Sequence, residues 1–375
     1  FVWMNPVDLV TARIVDSYSP DIPSYHQSLP NDAVLQAFTQ AAHDRGFKVV
    51  WKPHFVTNEA ESGNVNPYYA GDGFDADTFL GEVKEFWQRL APLAEQSDVD
   101  LLILGTEHEG FAGPAYDAEW REIIATARAT FSGELAYDAL SYVGRPVTAA
   151  DDITFWDALD YIGISMYLPL AEAEPSVDGA YDKLFNNWVV EWQTEPRIDV
   201  PQLFQTLSET YGKDIIFTEA GSQARAGALT TPPYSEGALE FWEQTVLYGV
   251  LMDVFSEYDW FRGFSWWNND TERMPAIDSA DWRSGWYPAL LTEFGFIQKP
   301  SGDVVRGFWG NGHDGAPLDG RLLIGDSGGE ELLGARRGDL IVAGDGDDRL
   351  AGRNGDDRLF AGDGRDVVIG GKGDD

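Results

Sequence analysis

Two glutamates stand at the ends of short apolar segments, where their carboxylates are suited to acid–base and nucleophilic chemistry. Glu107 ends the segment LLILGTE, and Glu219 ends the segment DIIFTE. Side chains alternate between the two faces of a strand, so we expect Glu107 to share the face of Ile103. By the same alternation, Glu219 shares the face of Ile215 and Phe217, and we expect both of these faces to point into the barrel. Such a carboxylate pair matches the needs of glycosidic bond hydrolysis, in which one group protonates the leaving oxygen and the other attacks the anomeric carbon.

The elements that must position this pair follow a regular order. From about residue 7 to residue 310, short apolar runs alternate with longer amphipathic stretches. This order is typical of βα units around a parallel sheet and predicts an α/β fold, a (β/α)8 TIM barrel. Seven strands are expected: Asp8 to Ile14, Phe47 to His54, Asp100 to Glu107, Glu134 to Asp138, Tyr161 to Tyr167, Asp214 to Glu219 and Gly263 to Asn268. Helices are expected over Asn31 to Arg45, Ala76 to Gln96 and Asp117 to Phe131.

A barrel of this type has eight strands, so the first βα unit is expected to be missing upstream of Phe1. Glu107 and Glu219 would then end strands four and seven, at the rim where barrels collect their functional residues. Glu109 is a rival for Glu107 but stands past the strand end. A structural or solvated role explains either glutamate alone, whereas the pair, in a chain with 14 Trp, 15 Tyr and 21 Phe, favours catalysis.

Several blocks carry a family resemblance. The segments VVWKPHF, LLILGTEHE, FWDALDYIGISMYLPL, IIFTEAGS, FSWWN and QKPSGDVVRGFW resemble glycoside hydrolase family 113, a family of retaining β-mannanases on a (β/α)8 barrel. The resemblance covers roughly residues 7 to 310. It implies that Glu107 is the acid/base and Glu219 the nucleophile, about 5 to 5.5 Å apart. The HEG sequence after Glu107 and the insert from Glu172 to Trp188 depart from the family.

Further side chains near these blocks are candidates for substrate contacts. Lys52 and His54 share one face near a strand end and are suited to holding sugar hydroxyls. Neither is expected to bind a metal, because the five histidines are scattered and the chain has no cysteine. We therefore expect no cofactor for catalysis.

Aromatic side chains provide the other candidates. Tyr167 is placed to hydrogen-bond the nucleophile or a sugar. Trp266 and Trp267 together are candidates for the floor on which a pyranose ring stacks, and one of the two must point away from the barrel mouth. Tyr137 and Asp138 are weaker candidates, in a block where the family tends to carry Tyr-x-x-Asn. For any single aromatic residue, core packing is the simpler explanation.

After Trp309 the sequence becomes rich in glycine and aspartate and acquires a nine-residue period. From Ala343 onward, AGDGDDRLA, GRNGDDRLF, AGDGRDVVI and GGKGDD match the pattern G-G-x-G-x-D-x-U-x, in which U is a large apolar residue. Degenerate copies precede them and are expected to cap the array. The repeats are predicted to form a small parallel β-roll with its metal-ligating aspartates on one edge. These aspartates are Asp348, Asp357, Asp366 and Asp375.

Calcium prefers six to eight oxygen ligands, which stacked turns can supply from carboxylates and backbone carbonyls. Without the ion the carboxylates would repel one another, so we expect the repeats to need calcium for folding. An acidic flexible tail would not explain the regular spacing of Leu350, Leu359 and Val368. The repeats resemble those of RTX proteins, which implies one-step (type I) export from a bacterium to the extracellular space.

The expected domains are a barrel over residues 1–310, a linker over 311–317 and repeats over 318–375, with further repeats beyond Asp375. The formal charge of −37 argues against nucleic-acid and anionic-membrane partners, and no apolar run is long enough to span a bilayer. The expected partners are a polysaccharide and calcium, and the chain is expected to be a monomer.

The sequence thus predicts a secreted retaining hydrolase of β-linked polysaccharide, with endo-β-1,4-mannanase as the first expectation. The alternative is a non-catalytic extracellular module for carbohydrate binding or calcium-dependent adhesion. Fold alone does not separate the two. The presence of both glutamates in their motifs favours catalysis.

Overall fold

The computed structural model describes most of the barrel segment and the repeats. The described residues are 2–8, 11–14, 30–57, 74–141, 148–169, 189–190, 198–230, 242–267, 322–325, 328–336, 338–343, 346–362 and 364–373. The insert expected from Glu172 to Trp188, the linker expected over 311–317 and the candidate ligand Asp375 lie outside these residues.

Eight of the described strands form one sheet. They are β1 Val2–Asp8, β2 Arg13–Ile14, β3 Val50–Thr57, β4 Leu101–Thr106, β5 Glu134–Ser141, β6 Tyr161–Met166, β9 Asp214–Ala220 and β10 Phe261–Trp266. Their order across the sheet is β10-β9-β6-β5-β4-β3-β1-β2. The pairs β1–β3, β3–β4, β4–β5 and β5–β6 are parallel. A short antiparallel pair, β7 Val189–Val190 and β8 Ile198–Asp199, lies between β6 and β9 in the chain. The parallel α/β fold predicted from the sequence is confirmed.

Helices connect most of these strands in the chain. They are α1 Asp32–His43, α2 Ala76–Gln96, α3 Asp117–Arg128, α4 Thr148–Asp152, α5 Val200–Tyr211 and α6 Trp242–Phe255. The predicted cap is present at α1, where the Asn31 side chain accepts a hydrogen bond from the Val34 N–H. Helix α2 has the predicted bounds, whereas α3 ends three residues before Phe131. Among the described residues, no helix is both long and apolar enough to cross a membrane.

The first strand corrects a prediction. The strand expected from Asp8 to Ile14 is wrong, because β1 covers the preceding residues and pairs along its length with β3. Ala12 adopts the left-handed conformation with φ of 54°, so the chain reverses there and β2 returns antiparallel to β1. Pro6 lies inside β1, opposite Val56, and a proline ordinarily argues against a strand at that place in the sequence.

The sheet has an inner face and a face covered by helices. The inner face carries an apolar cluster of Leu101, Ile103 and Ala136, against which Val50, Tyr161 and Ile216 pack. On the other face, buried indoles join sheet and helices: Trp51 donates to Thr39 Oγ1 of α1, and Trp87 of α2 donates to the Leu104 carbonyl. The two faces are built from alternate residues of the same strands, as the strand geometry requires.

Strand β4 contains a bulge just before Glu107. Ile103 pairs with Ala136, but Thr106 pairs with Asp138, so β4 uses one more residue than β5 over this interval. Gly105 lies in the bulge, and a Cβ there would come within 2.4 Å of Trp120 Cη2 of α3. The absence of a side chain at this position lets α3 pack closely on the strand that ends at Glu107.

We predict that Gly105→Ala lowers the free energy of unfolding by about 1 to 3 kcal/mol, because the added methyl group overpacks the contact with Trp120. Gly113→Ala is the matched control, since its Cβ would meet nothing within 4 Å. Urea unfolding followed by tryptophan fluorescence reports on the barrel segment, because no tryptophan follows Trp309. Equal losses in the two variants would contradict the prediction.

The described residues of the repeats form six short strands: β11 Leu322–Ile324, β12 Glu331–Leu333, β13 Leu340–Val342, β14 Arg349–Asn354, β15 Arg358–Phe360 and β16 Val367–Lys372. They make two parallel three-stranded sheets, β11-β13-β15 and β12-β14-β16. Ile341, Ala343 and Leu350 are buried between them. This arrangement confirms the parallel β-roll.

The expectation that the repeat aspartates share one edge is wrong for those that the structure describes. The Asp348 N–H donates to Asp366 Oδ1 at 3.0 Å, and the Asp339 N–H donates to Asp357 Oδ1 at 2.8 Å. Each contact joins residues 18 apart, because one coil of the roll takes two nonapeptides. Successive repeat aspartates therefore alternate between two edges.

Candidate active site

A buried ion pair occupies the inner face above the apolar cluster. Lys52 Nζ of β3 lies 2.6 Å from Asp138 Oδ2 of β5, and these side chains are 4% and 0% exposed. The same ammonium donates to the Thr218 carbonyl of β9 at 3.3 Å. Ser165 Oγ of β6 donates to Asp138 Oδ2 at 2.8 Å. One lysine therefore ties β3, β5 and β9 together, and β6 joins through Asp138.

This polar layer follows from strand alternation. Each of its three central residues stands two positions beyond a member of the inner cluster: Lys52 follows Val50, Asp138 follows Ala136 and Thr218 follows Ile216. Side chains two residues apart share a face of the sheet, so the Lys52 and Asp138 side chains lie directly above the apolar layer, and Thr218 adds its backbone carbonyl. On each of these strands, an apolar residue is followed two positions later by a polar one. This pattern marks the boundary between the apolar core and the candidate active site.

Glu107 lies directly after β4 in a strained backbone conformation. Its φ of 55° is in the left-handed region, which residues with a side chain rarely occupy. Its N–H donates to the Asp138 carbonyl at 2.8 Å, and its side chain is partly exposed. The bulge and the left-handed turn both interrupt alternation, so the direction of Glu107 does not follow from that of Ile103. Strained residues concentrate at functional sites.

The next residue, His108, anchors this turn in an aromatic cage. Its N–H donates to the Tyr137 hydroxyl at 2.9 Å. Its ring lies parallel to Trp120, 6.1 Å away between ring centroids, and packs against the edge of Phe79. Burial lowers the pKa of His108 to about 3, with a smaller contribution from nearby His54. The imidazole is therefore neutral and acts as a packed ring.

Glu219 is 4% exposed and is held by a tyrosine. The Tyr167 hydroxyl donates to Glu219 Oε2 at 2.8 Å. The alternation argument is wrong for this strand, because Phe217 packs on Phe204 of α5, whereas Ile216 joins the inner cluster. Glu219 thus stands one residue past the inner-facing Thr218.

The two glutamates share a local sequence that strand periodicity alone does not reveal. Glu107 follows Thr106, which pairs with Asp138, and Glu219 follows Thr218, whose carbonyl binds Lys52. Both threonines are buried. A repeated Thr-Glu dipeptide at strand ends is the signal that places both carboxylates beyond the polar layer.

The remaining aromatic residues predicted to contact substrate differ in how deeply they are buried. Tyr137 is buried, and its ring packs against Trp120 and Phe155, so its substrate contact stays a prediction. The Trp266 ring lies 4.1 Å from the Tyr248 ring of α6 between centroids, which turns it toward that helix. Trp267 is partly exposed, and its backbone N–H donates to the Ala220 carbonyl.

His54 is partly exposed, and its carbonyl accepts a hydrogen bond from Asn5. Contacts of the His54 and Lys52 side chains with substrate remain predictions. Sequence reasoning did not find Ser165 or Thr218 as members of the polar layer. Each lies an even number of positions from an inner-facing residue of its own strand. This spacing could have predicted both residues.

The loop after Glu219 is fixed by α6. Both carboxylate oxygens of buried Glu243 accept backbone N–H bonds, from Gly227 and Leu229, at 2.8 Å each. The neighbouring Gln244 donates to the Ser222 carbonyl. Sequence reasoning did not find these two residues, because acidic and amide side chains in a helix usually face solvent.

Comparison with known families now decides the classification. The model of Glycoside Hydrolase Family 113 matches residues 5–286. The chain belongs to glycoside hydrolase family 113. It is therefore a glycoside hydrolase, and catalysis in this family needs no cofactor. The RTX calcium-binding nonapeptide repeat model matches residues 324–359 and 342–375, which implies calcium binding by the roll.

Solved structures of family 113 share the fold. A structure of a GH113 β-1,4-mannanase in complex is similar with a TM-score of 0.57 and 20% identity over 81% of this chain and 85% of that one. The GH113 β-mannanase AaManA from Alicyclobacillus acidocaldarius, in complex with ManMIm, is similar with a TM-score of 0.53 and 22% identity over 77% and 82%. At these identities the likeness shows the fold, a TIM-barrel-like α/β fold. No curated protein matches the chain.

We predict that Lys52→Met destabilises this family 113 enzyme by about 3 to 5 kcal/mol, because it leaves the buried Asp138 carboxylate without its cation. Lys84→Met is the matched control, since its pair with Glu122 is equally short, at 2.6 Å, but exposed, and should cost less than about 1 kcal/mol. Adding Asp138→Asn to Lys52→Met should recover much of the loss. Urea unfolding measures all four proteins, and a Lys52→Met effect as small as the control would refute the assignment.

A second prediction concerns acid sensitivity. The folded protein keeps His108 neutral down to a pKa of about 3, whereas the unfolded chain protonates it near its ordinary value of about 6.5. Stability from this group is therefore present above pH 6.5 and is lost as the pH falls, by up to about 1.4 kcal/mol per unit. His108→Phe keeps a ring without the titration, so it should lose about 2 kcal/mol less than wild type between pH 7 and pH 5. Parallel stability curves would exclude this role.

Proposed function

We propose that this family 113 enzyme is a secreted endo-β-1,4-mannanase that retains anomeric configuration, with Glu219 as the nucleophile and Glu107 as the acid/base. The observation that carries the proposal is the pair of Thr-Glu strand ends beside the Lys52 polar layer. Thr106 pairs with Asp138, and the Thr218 carbonyl binds the ammonium that also binds Asp138. The strand segments just before both glutamates therefore contact the same ion pair, Lys52 and Asp138.

The first step transfers the sugar to the enzyme. Protonated Glu107 gives its proton to the glycosidic oxygen while a Glu219 oxygen attacks the anomeric carbon, and the leaving chain departs as an alcohol. In the second step Glu107, now a carboxylate, takes a proton from water, and the hydroxide formed displaces Glu219. Retention of configuration requires the two carboxyl groups about 5 to 5.5 Å apart.

The contacts of Glu219 suit a nucleophile. The Tyr167 hydroxyl donates a hydrogen bond to Oε2 and thereby orients the carboxylate. A hydrogen bond donated to a carboxylate favours its ionised form. The Lys52 ammonium on the preceding carbonyl adds a fixed positive charge beside the nucleophile's backbone.

The surroundings of Glu107 suit an acid/base. Its backbone is held on both sides, by the Asp138 carbonyl and by the cage around His108. Its side chain remains partly exposed, which gives water access for the second step. A fixed backbone with an accessible carboxyl group is what a residue that must donate and later accept a proton needs.

The proposed substrate is a β-1,4-mannan. The names of two similar structures support it, since both are β-mannanases of the same family. Trp267 is the proposed stacking surface for a sugar ring, because Trp266 packs on α6. The RTX repeats support export by a type I route into calcium-rich surroundings.

We predict that the protein in calcium releases reducing sugar from glucomannan and galactomannan but not from xylan or cellulose. Glu107→Gln and Glu219→Gln should each lower the rate by about a thousandfold, because each removes a group required in the transition state. Glu109→Gln is the matched control and should keep near-wild-type activity. Release from another glycan would keep the mechanism and overturn the mannan assignment, whereas no release by folded protein would favour a carbohydrate-binding module.

The roles of the two glutamates can be separated with an aryl mannoside whose leaving group departs without a proton. Glu107→Ala should still form the glycosyl-enzyme from this substrate, and added azide should restore turnover as a β-mannosyl azide. Glu219→Ala should show neither behaviour. The opposite pattern would exchange the two assignments.

A further inference from the structure

Helix α6 is buried all round, yet its first two turns carry polar side chains. Every residue from 243 to 252 is buried. Glu243, Gln244, Thr245 and Tyr248 lie in this stretch, and each is 0% exposed. A buried polar group is costly unless it is hydrogen-bonded. The partners of these side chains therefore show which segment of the chain this helix holds.

Two of the polar side chains hold the backbone of one residue, Ser222. Gln244 Nε2 donates to the Ser222 carbonyl at 2.8 Å. The Tyr248 hydroxyl is hydrogen-bonded to the Ser222 backbone, and this bond favours the ionised phenol, so the Ser222 N–H donates it. Burial raises the pKa of Tyr248, so the hydroxyl itself stays neutral. Gln244 and Tyr248 are four residues apart, so both lie on one face of the helix.

Ser222 stands three residues after the proposed nucleophile, and the backbone between them is also fixed. Strand β9 ends at Ala220, whose carbonyl accepts the Trp267 backbone N–H at 2.9 Å. Gly221 then has a φ of 128°, a conformation that residues with a side chain rarely adopt. The chain turns at this glycine and reaches α6 at Ser222. The backbone that carries Glu219 is thus held just beyond the strand end.

The more distant part of the same loop is attached to α6 separately. Both carboxylate oxygens of Glu243 accept backbone N–H bonds, from Gly227 and Leu229. These residues stand 8 and 10 positions after Glu219. The Glu243 contacts therefore fix the loop, whereas the Ser222 contacts are the ones next to the strand end.

We propose that Gln244 and Tyr248 are positioning residues for catalysis, which fix the end of β9 so that the Glu219 carboxylate faces the anomeric carbon. This role depends on Glu219 being the nucleophile. Tyr167 orients the carboxylate group itself, whereas α6 fixes the backbone that carries it. A misplacement of about 1 Å can cost about a hundredfold in rate, so loss of either contact should lower kcat more than it changes KM.

Two variants each remove one contact and keep the packing. Gln244→Met has a similar shape without the donor, and Tyr248→Phe keeps the ring on Trp266 without the hydroxyl. With an aryl β-mannoside as substrate, each should lower kcat about tenfold and leave KM within about twofold. Tyr211→Phe is the matched control, because it loses a hydrogen bond to the Ile153 carbonyl before the other end of β9, and it should keep the wild-type kcat. A wild-type kcat in both folded α6 variants would overturn the proposal.

Gln244→Glu separates positioning from folding within one protein. A protonated carboxyl group donates to the Ser222 carbonyl, whereas a carboxylate cannot. Because burial favours the protonated form, the ratio of wild-type kcat to variant kcat should be near one at about pH 5 and rise to about tenfold at about pH 9. Tryptophan fluorescence follows the folded state at each pH. A ratio that stays constant, or that rises only as the folded signal is lost, would refute a positioning role.

Glu219→Ala distinguishes failure of this role from failure of the proposed function. Turnover of the aryl mannoside that persists without Glu219 would remove the nucleophile assignment, and the positioning role with it. Turnover that is lost in Glu219→Ala but unchanged in folded Gln244→Met would keep the nucleophile and overturn the positioning role alone.

Discussion

The barrel segment depends on one buried ion pair, between Lys52 and Asp138. Removing both charges from water is expensive, and the pair is stable only if its remaining hydrogen-bonding capacity is met inside the protein. Ser165 and the Thr218 carbonyl supply two of those bonds, and they come from two further strands. The pair and its hydrogen bonds therefore link β3, β5, β6 and β9. Packing of the apolar layer below and geometry of the site above are thus coupled through a single ammonium group.

The strain at Glu107 is sustained by this same framework. A left-handed residue with a side chain costs about 1 to 2 kcal/mol, and a free loop would relax it. Here the Asp138 carbonyl fixes the residue on one side, and the His108–Tyr137 bond fixes the next residue. Gly105 lets Trp120 approach closely enough to hold the His108 ring. Core packing, and not the loop itself, therefore determines where the Glu107 carboxyl group points.

Sequence periodicity located both strand-end glutamates and the helices, because strand ends and amphipathic stretches are local properties. It failed where a nonlocal contact decides the outcome. Phe217 was expected to face the barrel interior but packs on α5, since alternation gives two faces without saying which one the helices cover. Trp266 and Trp267 could not be separated for the same reason. In the roll, a nine-residue period does not reveal that a coil takes 18 residues, so two edges were read as one.

The two parts of the chain balance buried carboxylates in different ways. In the barrel segment, the cation that offsets the Asp138 carboxylate is a side chain, Lys52. In the roll, buried Asp348 has a carboxylate oxygen without a donor among the described residues. The repeats bind calcium, so the stability of the roll depends on the concentration of that ion in solution. The polar layer of the barrel segment thus has its counter-charge within the chain, whereas the repeats take theirs from solution.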